Sequence, residues 1–349
     1  MRLGVIDLGT NSIHLLIGIL GLDGAFHVLL KERELVRIGD GGLVRHRLTA
    51  TAMRRAASVL RRYARLLKEL NVSRVEAVAT SAVRDARNGE DFVRYIRRRL
   101  GVPLRIISGK EEARLIHLGI MRSRRTLGPV AIVTIGGGSA QVIVGDAARA
   151  RYLASVPLGG ARLAQQFIRH DPPTSEELAS LHRYVKRVWA PVLRAMRRHR
   201  WRVALGSSAT IYQLMVATRW MRGGRLPDKK HQLSVTRTAL RGFIRQVAGS
   251  TAAARRRLPG LDPKRQDLAL PTAVALLAWM EGAGVTRLAC APGSLREGLI
   301  RDSMMRLHAA RARWTPDMSN GNGHARAPKD RRPIRRLDLG VSPTSGSPR

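Results

Sequence analysis

Acidic residues are scarce in this chain: 25 Asp and Glu stand against 63 Lys and Arg, a formal charge of +38 over 349 residues. Cysteine is scarcer still. The single Cys290 excludes a disulfide framework within the chain and fits a reducing compartment. It lies in an apolar run and reads as a buried small hydrophobe. Aromatic residues make up only 4%, which argues against a stacking platform for single-stranded nucleic acid. No apolar run approaches the length that spans a bilayer. The N-terminus enters a strand pattern directly, without a basic segment and cleavage site, so no signal peptide is expected. A cytoplasmic protein that makes no membrane contact is the resulting expectation.

What is present is a substantial core and a strong positive field. At 44% hydrophobic the chain is not disordered as a whole, and its length predicts two domains more readily than one. The cations are overwhelmingly arginine, whose rigid fork suits phosphate oxygens. Such a field attracts polyanions, whether nucleic acid, polyphosphate or an anionic surface. An arginine-rich composition unrelated to any ligand accounts for the same excess.

One Gly-rich turn occurs twice in the same setting. The run from Val5 through Asp7, Gly9, Thr10, Asn11 and Ser12 to Gly18 aligns without a gap on the run from Ile132 through Thr134, Gly136, Gly137, Gly138 and Ser139 to Gly145. Each is an apolar strand, a polar turn and a second apolar strand, which implies two related lobes. Backbone N–H groups in such turns form a concave anion site. The N–H groups of Gly9, Thr10, Asn11 and Ser12 are therefore expected to bind phosphate, with Gly136 to Ser139 as a facing cradle. Asp7, at the end of a buried strand, is a natural Mg²⁺ anchor, because Mg²⁺ prefers one or two carboxylates plus phosphate oxygens and water. A turn-capping Asp is the plainer alternative.

Around these turns the pattern is α/β. Helices are expected at Thr49–Leu70, at Glu90–Leu100, from Glu111, at Ser175–Arg200 with a break or kink at Pro191, at Ile211–Met221, Thr236–Val247 and Ala269–Gly282, and from Leu295. Strands are expected at Val75–Thr80, Leu104–Ile107, Tyr152–Val156, Val203–Leu205 and Val285–Ala289. Leu158-Gly159-Gly160 reads as a turn. Past about residue 306 the chain is basic, rich in Pro, Ser, Gly and Asn, and lacks apolar periodicity, so a disordered tail is expected.

Six blocks in order carry a family resemblance: Asp7-Leu8-Gly9-Thr10-Asn11-Ser12; Ala79-Thr80-Ser81-Ala82-Val83-Arg84 with Asn88; Ser108-Gly109-Lys110-Glu111-Glu112-Ala113-Arg114; Ile135-Gly136-Gly137-Gly138-Ser139; Gly206-Ser207-Ser208-Ala209-Thr210-Ile211; and Leu295-Arg296-Glu297-Gly298. Over roughly residues 1–305 the chain resembles the exopolyphosphatase/guanosine pentaphosphate phosphohydrolase (Ppx/GppA) family, in its short two-domain form. The resemblance implies two actin-like lobes of the ribonuclease H-like ASKHA superfamily, at about 1–125 and 126–305, with the active site between them. It implies Glu112 as the catalytic base, whereas Glu111 complements a helix dipole. It implies that Arg84 holds substrate phosphate. Ser208 and Thr210 are candidates for further hydrogen bonds from the second lobe. Arg296 and Glu297 read equally as an ion pair or a substrate contact.

The resemblance has a gap. The family's second hairpin normally reads Asp-Ile-Gly-Gly-Gly-Ser-Thr-Glu, and Thr134 and Gln141 stand here in place of both carboxylates. Pro292 stands where an Asp is common. The resemblance implies Mg²⁺-dependent (alternatively Mn²⁺-dependent) release of terminal orthophosphate from inorganic polyphosphate. Guanosine pentaphosphate hydrolysis and a catalytically lapsed polyphosphate- or alarmone-binding protein are the alternatives. A nucleic-acid-binding scaffold would need a localised basic stripe, and arginine is spread over almost every helix. Family members are often homodimers, but no segment here identifies a dimer face.

Overall fold

The apolar alternation around the first turn folds into a meander: β1 (Arg2–Leu8), β2 (Ser12–Leu20) and β3 (Phe26–Leu35). In this computed structural model residues 1–21, 25–121 and 128–313 are described. Helix α1 (Ala50–Glu69) follows, its N-terminus capped by the Thr49 hydroxyl, which accepts from the Ala52 N–H. Next come β4 (Arg74–Ala79), the one-turn helix α2 (Ser81–Arg84) and α3 (Gly89–Leu100), which ends on Gly101 at φ 66°. Strand β5 (Leu104–Ile106) and helix α4 (Gly109–Met121) complete the first half. The strands form one five-stranded sheet in the order β3-β2-β1-β4-β5.

The second half repeats this plan. Hairpin β6 (Val130–Ile135) and β7 (Ala140–Gly145) leads to β8 (Ala150–Val156), then α5 (Gly160–Phe167) and α6 (Ser175–Met196). Beyond them lie β9 (Val203–Ser207), α7 (Ala209–Trp220), β10 (Ser234–Thr236), α8 (Arg237–Ala248), α9 (Ala252–Arg256), α10 (Gln266–Gly282), β11 (Arg287–Cys290) and α11 (Leu295–Arg313). The second sheet runs β10-β11-β9-β6-β7-β8. Read from β8, five of its strands match the first sheet position for position. The cross-strand register matches too: Asp7 faces His14 as Thr134 faces Gln141.

Helix α10 is apolar on nearly every side and almost wholly buried, so it forms the centre of the second half. Trp189 of α6 packs on it and donates its indole N–H to the Ala275 carbonyl at 2.9 Å. That packing explains why α6 runs unbroken through Pro191, where the sequence suggested a break or a kink. The proline removes one backbone hydrogen bond, while buried Trp189, Val192 and Leu193 on either side hold the helix. Two further differences concern ends. Leu158-Gly159-Gly160 is not only a turn but the start of α5, and the closing helix continues to Arg313. The rest of the expected tail, and the expected lobe boundary near residue 125, lie outside the described residues.

Residues Met1–His308 form one compact unit. Within it a shared apolar cluster joins the two sheets. Leu3, Val5 and Leu16 of the first meet Ile132, Ile143 and Leu205 of the second, together with Leu115, Ile116 and Ile120 of α4 and Leu295, Leu299 and Ile300 of α11. Helices α4 and α11 cross through two glycines. A Cβ on Gly298 would lie 1.8 Å from the Leu115 carbonyl oxygen, and one on Gly119 would lie 2.1 Å from that of Ser294. The Leu295-Arg296-Glu297-Gly298 block is thus partly a packing motif. Gly298→Ala is expected to cost at least about 2 kcal/mol in denaturant unfolding, since the obstruction is backbone. Gly242→Ala on α8, where nothing lies within 4 Å of the added carbon, should be neutral or stabilising.

Candidate active site

The two glycine-rich turns meet. A Cβ on Gly137 would lie 2.5 Å from the Asn11 side-chain nitrogen, and one on Gly138 would lie 2.7 Å from the Thr10 hydroxyl. Between and beside them opens a cleft of 210 Å³ lined by Asp7, Gly9 to Ser12, His14, Thr80, Ser81, Glu112, Thr134, Gly136 to Ser139, Gln141, Ser207 to Thr210, Arg265, Ser294 and Arg296. Thus Asp7, both turns, Glu112, Ser208 and Thr210 come together in one place. Arg84 is not part of that lining.

The turns are wired alike. Gly9 N–H donates to the Ser12 carbonyl at 3.0 Å, and Gly136 N–H donates to the Ser139 carbonyl at 2.9 Å. These two amides close their hairpins, so the expectation that Gly9 offers its N–H to phosphate is corrected, and Gly136 follows suit. The amides of Thr10, Asn11, Gly137, Gly138 and Ser139 donate to no acceptor among the described residues. In the second turn the carbonyls are held from behind. Gly136 O accepts from Gly160 N–H, Gly137 O accepts from the N–H groups of Ala161 and Arg162, and Gly138 O accepts from Arg162 Nε at 2.8 Å. The first turn of α5 therefore fixes which side of the turn bears donors. Gly159 fits because a Cβ there would lie 2.3 Å from Gly138 backbone.

Glu112 sits in the first turn of α4, buried. Burial pushes its carboxyl up to about 7, against the opposing pull of Arg84, whose Nη1 lies 2.9 Å from its Oε2. Arg84 also reaches the Ile107 carbonyl and Asp85. The structure thus places Arg84 behind the carboxylate, not against the phosphate turns, because α2 ends where its side chain meets α4. Asp7, at the floor of the cleft, is likewise pushed up by burial, to about 6, although Arg296 opposes this. Glu111, by contrast, pairs with Arg114 at 2.7 Å and stays below its ordinary value.

Two further groups enter the cleft, Arg265 and His14. Arg265 is buried and donates to the Ser12 hydroxyl, while its Nε has no hydrogen-bond partner and lies 3.9 Å from Asp262 Oδ2. Burial draws it down to about 10. Among so many arginines nothing in the sequence marks it. His14 lies 2.7 Å from Arg296 Nη1 through its Nδ1. Burial and neighbouring arginines lower it to about 3, so it is neutral. The repeat does mark it, as the counterpart of Gln141. Arg296 lines the cleft, whereas Glu297 accepts from the Ser294 hydroxyl. The two are not an ion pair.

A resident divalent cation fits this donor set poorly. Among the described residues no three His, Cys, Asp or Glu side chains are grouped for a metal. Glu112 is engaged by Arg84 and His14 by Arg296. Gln141 donates to the hydroxyls of Ser139 at 2.8 Å and Ser155 at 3.2 Å. That leaves one carboxylate, Asp7, in a cleft lined by two arginines, so without phosphate oxygens a divalent cation would have a single anionic ligand here.

The cleft thus lies in a two-lobed α/β frame, with duplicated donor turns beside a buried carboxylate. The model of the Ppx/GppA phosphatase family matches residues 21–307, and the chain belongs to that family. An exopolyphosphatase from Cytophaga hutchinsonii, solved by crystallography, is 28% identical, covers 87% of this chain and 98% of that one, and superposes with a TM-score of 0.78. The Aquifex aeolicus family member is 26% identical over 88% of this chain and 98% of that one, with a TM-score of 0.72. The fold is accordingly that of the Ppx/GppA family, two α/β halves with a cleft between.

The raised carboxyl of Glu112 has a stability consequence. The unfolded chain ionises it near 4.5 and the folded chain near 7, so stability present below 4.5 is lost as pH rises through about 7. Glu112→Gln removes that loss. Its thermal midpoint should match the parent at pH 4.5 and exceed it at pH 8, by a free energy on the order of 3 kcal/mol before the weakened Arg84 contact is subtracted.

Proposed function

We propose that this chain is an exopolyphosphatase, which hydrolyses the terminal phosphoanhydride of inorganic polyphosphate and releases orthophosphate. The observation that carries the reading is Glu112, a buried carboxyl poised near neutral pH beside two sets of unpartnered backbone donors. In this reading the amides of Thr10, Asn11, Gly137, Gly138 and Ser139 hold the non-bridging oxygens of the terminal groups. Glu112 accepts the proton of the attacking water. A water oxygen–phosphorus bond forms, the bridging oxygen–phosphorus bond breaks, and the shortened chain keeps the bridging oxygen. Arg84 keeps Glu112 oriented. The remaining catalysis is positioning plus electrostatic stabilisation of the transferring phosphoryl group. Mg²⁺ enters as the counter-ion of polyphosphate, part of the substrate, with Asp7 placed to meet it.

Two features of the cleft favour polyphosphate over guanosine pentaphosphate. No Phe, Tyr or Trp lines it, and its one ring, His14, is engaged at its edge by Arg296, so a guanine base has no large aromatic face to stack on. Its 210 Å³ falls below the roughly 300 Å³ at which pockets begin to enclose a drug-sized ligand. The neutral Thr134 and Gln141 support a second reading, a lapsed enzyme that binds polyphosphate or an alarmone without turning it over.

Orthophosphate release from long-chain polyphosphate separates the two. Under the first reading Glu112→Gln lowers kcat by about 10²–10⁴. The parent rate climbs through pH 7 as Glu112 loses its proton. Binding without release by the parent establishes the second reading. Added salt should raise KM far more than it changes kcat, because surface charges are screened beyond about 8 Å at physiological ionic strength.

A further inference from the structure

The duplicated hairpins give each lobe one cross-strand pair at the cleft, Asp7 with His14 and Thr134 with Gln141. Of these four positions only Asp7 bears a carboxylate. A cation held between the hairpins would find a single anionic ligand. The cleft nevertheless contains a fixed positive charge next to this set. Arg296 Nη1 lies 2.7 Å from His14 Nδ1. A guanidinium only donates, so Nδ1 accepts and the ring carries its proton on Nε2. Arg296 Nε lies 3.5 Å from the Ser294 hydroxyl. Its Nη2 has no acceptor among the described residues, and no carboxylate lies within 4.0 Å of the group. Arg296 lines the cleft all the same.

We propose that the Arg296 guanidinium, aimed by His14, supplies beside Asp7 the positive charge that a resident divalent cation would supply, so that the two turns bind phosphate oxyanions directly. His14 is a positioning residue in this account and Arg296 a ligand-binding one. The second hairpin is consistent with it. Gln141 gives an N–H to the Ser139 hydroxyl oxygen, which leaves the hydroxyl proton free to be donated to an oxyanion. A carboxylate at position 141 would instead accept that proton and turn Ser139 into an acceptor suited to a cation. The close α4–α11 crossing at Gly119 and Gly298 holds Arg296 at this depth. The proposal rests on the reading of the cleft as a phosphoanhydride site, although it does not require turnover.

Two binding measurements on the full chain test it without reference to hydrolysis. Titration with Mn²⁺ alone, followed by electron paramagnetic resonance, should show no saturable site in the parent. Thr134→Asp with Gln141→Glu should create one. A stoichiometric Mn²⁺ site in the parent, or none in the double variant, would overturn the proposal. Tripolyphosphate binding is then measured calorimetrically in excess chelator. The parent should bind, Arg296→Met should bind about 10- to 100-fold more weakly, and Arg296→Lys should fall between. His14→Phe should weaken binding as Arg296→Met does, while His14→Gln, which restores an acceptor, should recover most of it. Equal affinity across these variants at unchanged thermal midpoints, or binding abolished by the chelator, would sink the idea. Chelator-resistant binding together with no phosphate release from polyphosphate in the presence of Mg²⁺ would leave this proposal standing and remove the exopolyphosphatase reading alone.

Discussion

The close crossing of α4 and α11 is the contact on which the rest of the site depends. Neither helix lies in a sheet, yet together they fill the space between the two sheets and carry the two charged groups that face the cleft from that side, Glu112 and Arg296. Glycines at 119 and 298 let backbone meet backbone. The distance between carboxylate and guanidinium is therefore set by main chain, which is stiffer than any side-chain contact. A group that must meet a reacting phosphorus benefits from a rigid support of this kind.

Duplication supplies the frame and divergence supplies the chemistry. Strand order, register and the hairpin-closing amides are the same in both halves. The side chains at the matched positions are not. The first half has an acid and a histidine, the second a hydroxyl and an amide. The backbone surface of the turn is thereby kept twice, while the cross-strand pair beside it bears a carboxylate in the first half and none in the second.

Much of this was legible in the sequence, and the limits have physical causes. The hairpins were legible because period-2 apolar runs around a glycine turn have few other solutions. Helix α1 was legible from its threonine cap, and Glu112 from its place in a helix-opening block. Helix α5 was not, because Gly159 and Gly160 resemble a turn, and only its packing onto the second turn's carbonyls explains them. Strand β10 is three residues long and gains its identity from pairing with β11. The contact of Arg84 with Glu112 was not legible, since a sequence does not show which carboxylate a guanidinium reaches across a fold. Arg265 was hidden by abundance: in a chain with 63 basic residues nothing in the sequence marks the one that packs beside Ser12, whereas Arg296 was visible through its block although its partner, His14, was not.

Arg162 has a wider effect than bracing one turn. Its guanidinium is buried, and from α5 it holds Gly138 O, Leu43 O and the Asp85 carboxylate, so it is anchored in both halves of the molecule. Breaking such a contact strands a charge in a dry interior, typically at a cost of about 3–5 kcal/mol. Separation of the lobes at that edge is therefore the expensive motion, and traffic of ligand through the cleft is directed elsewhere than between the touching turns. Any opening along that edge has to break the Arg162–Asp85 pair first.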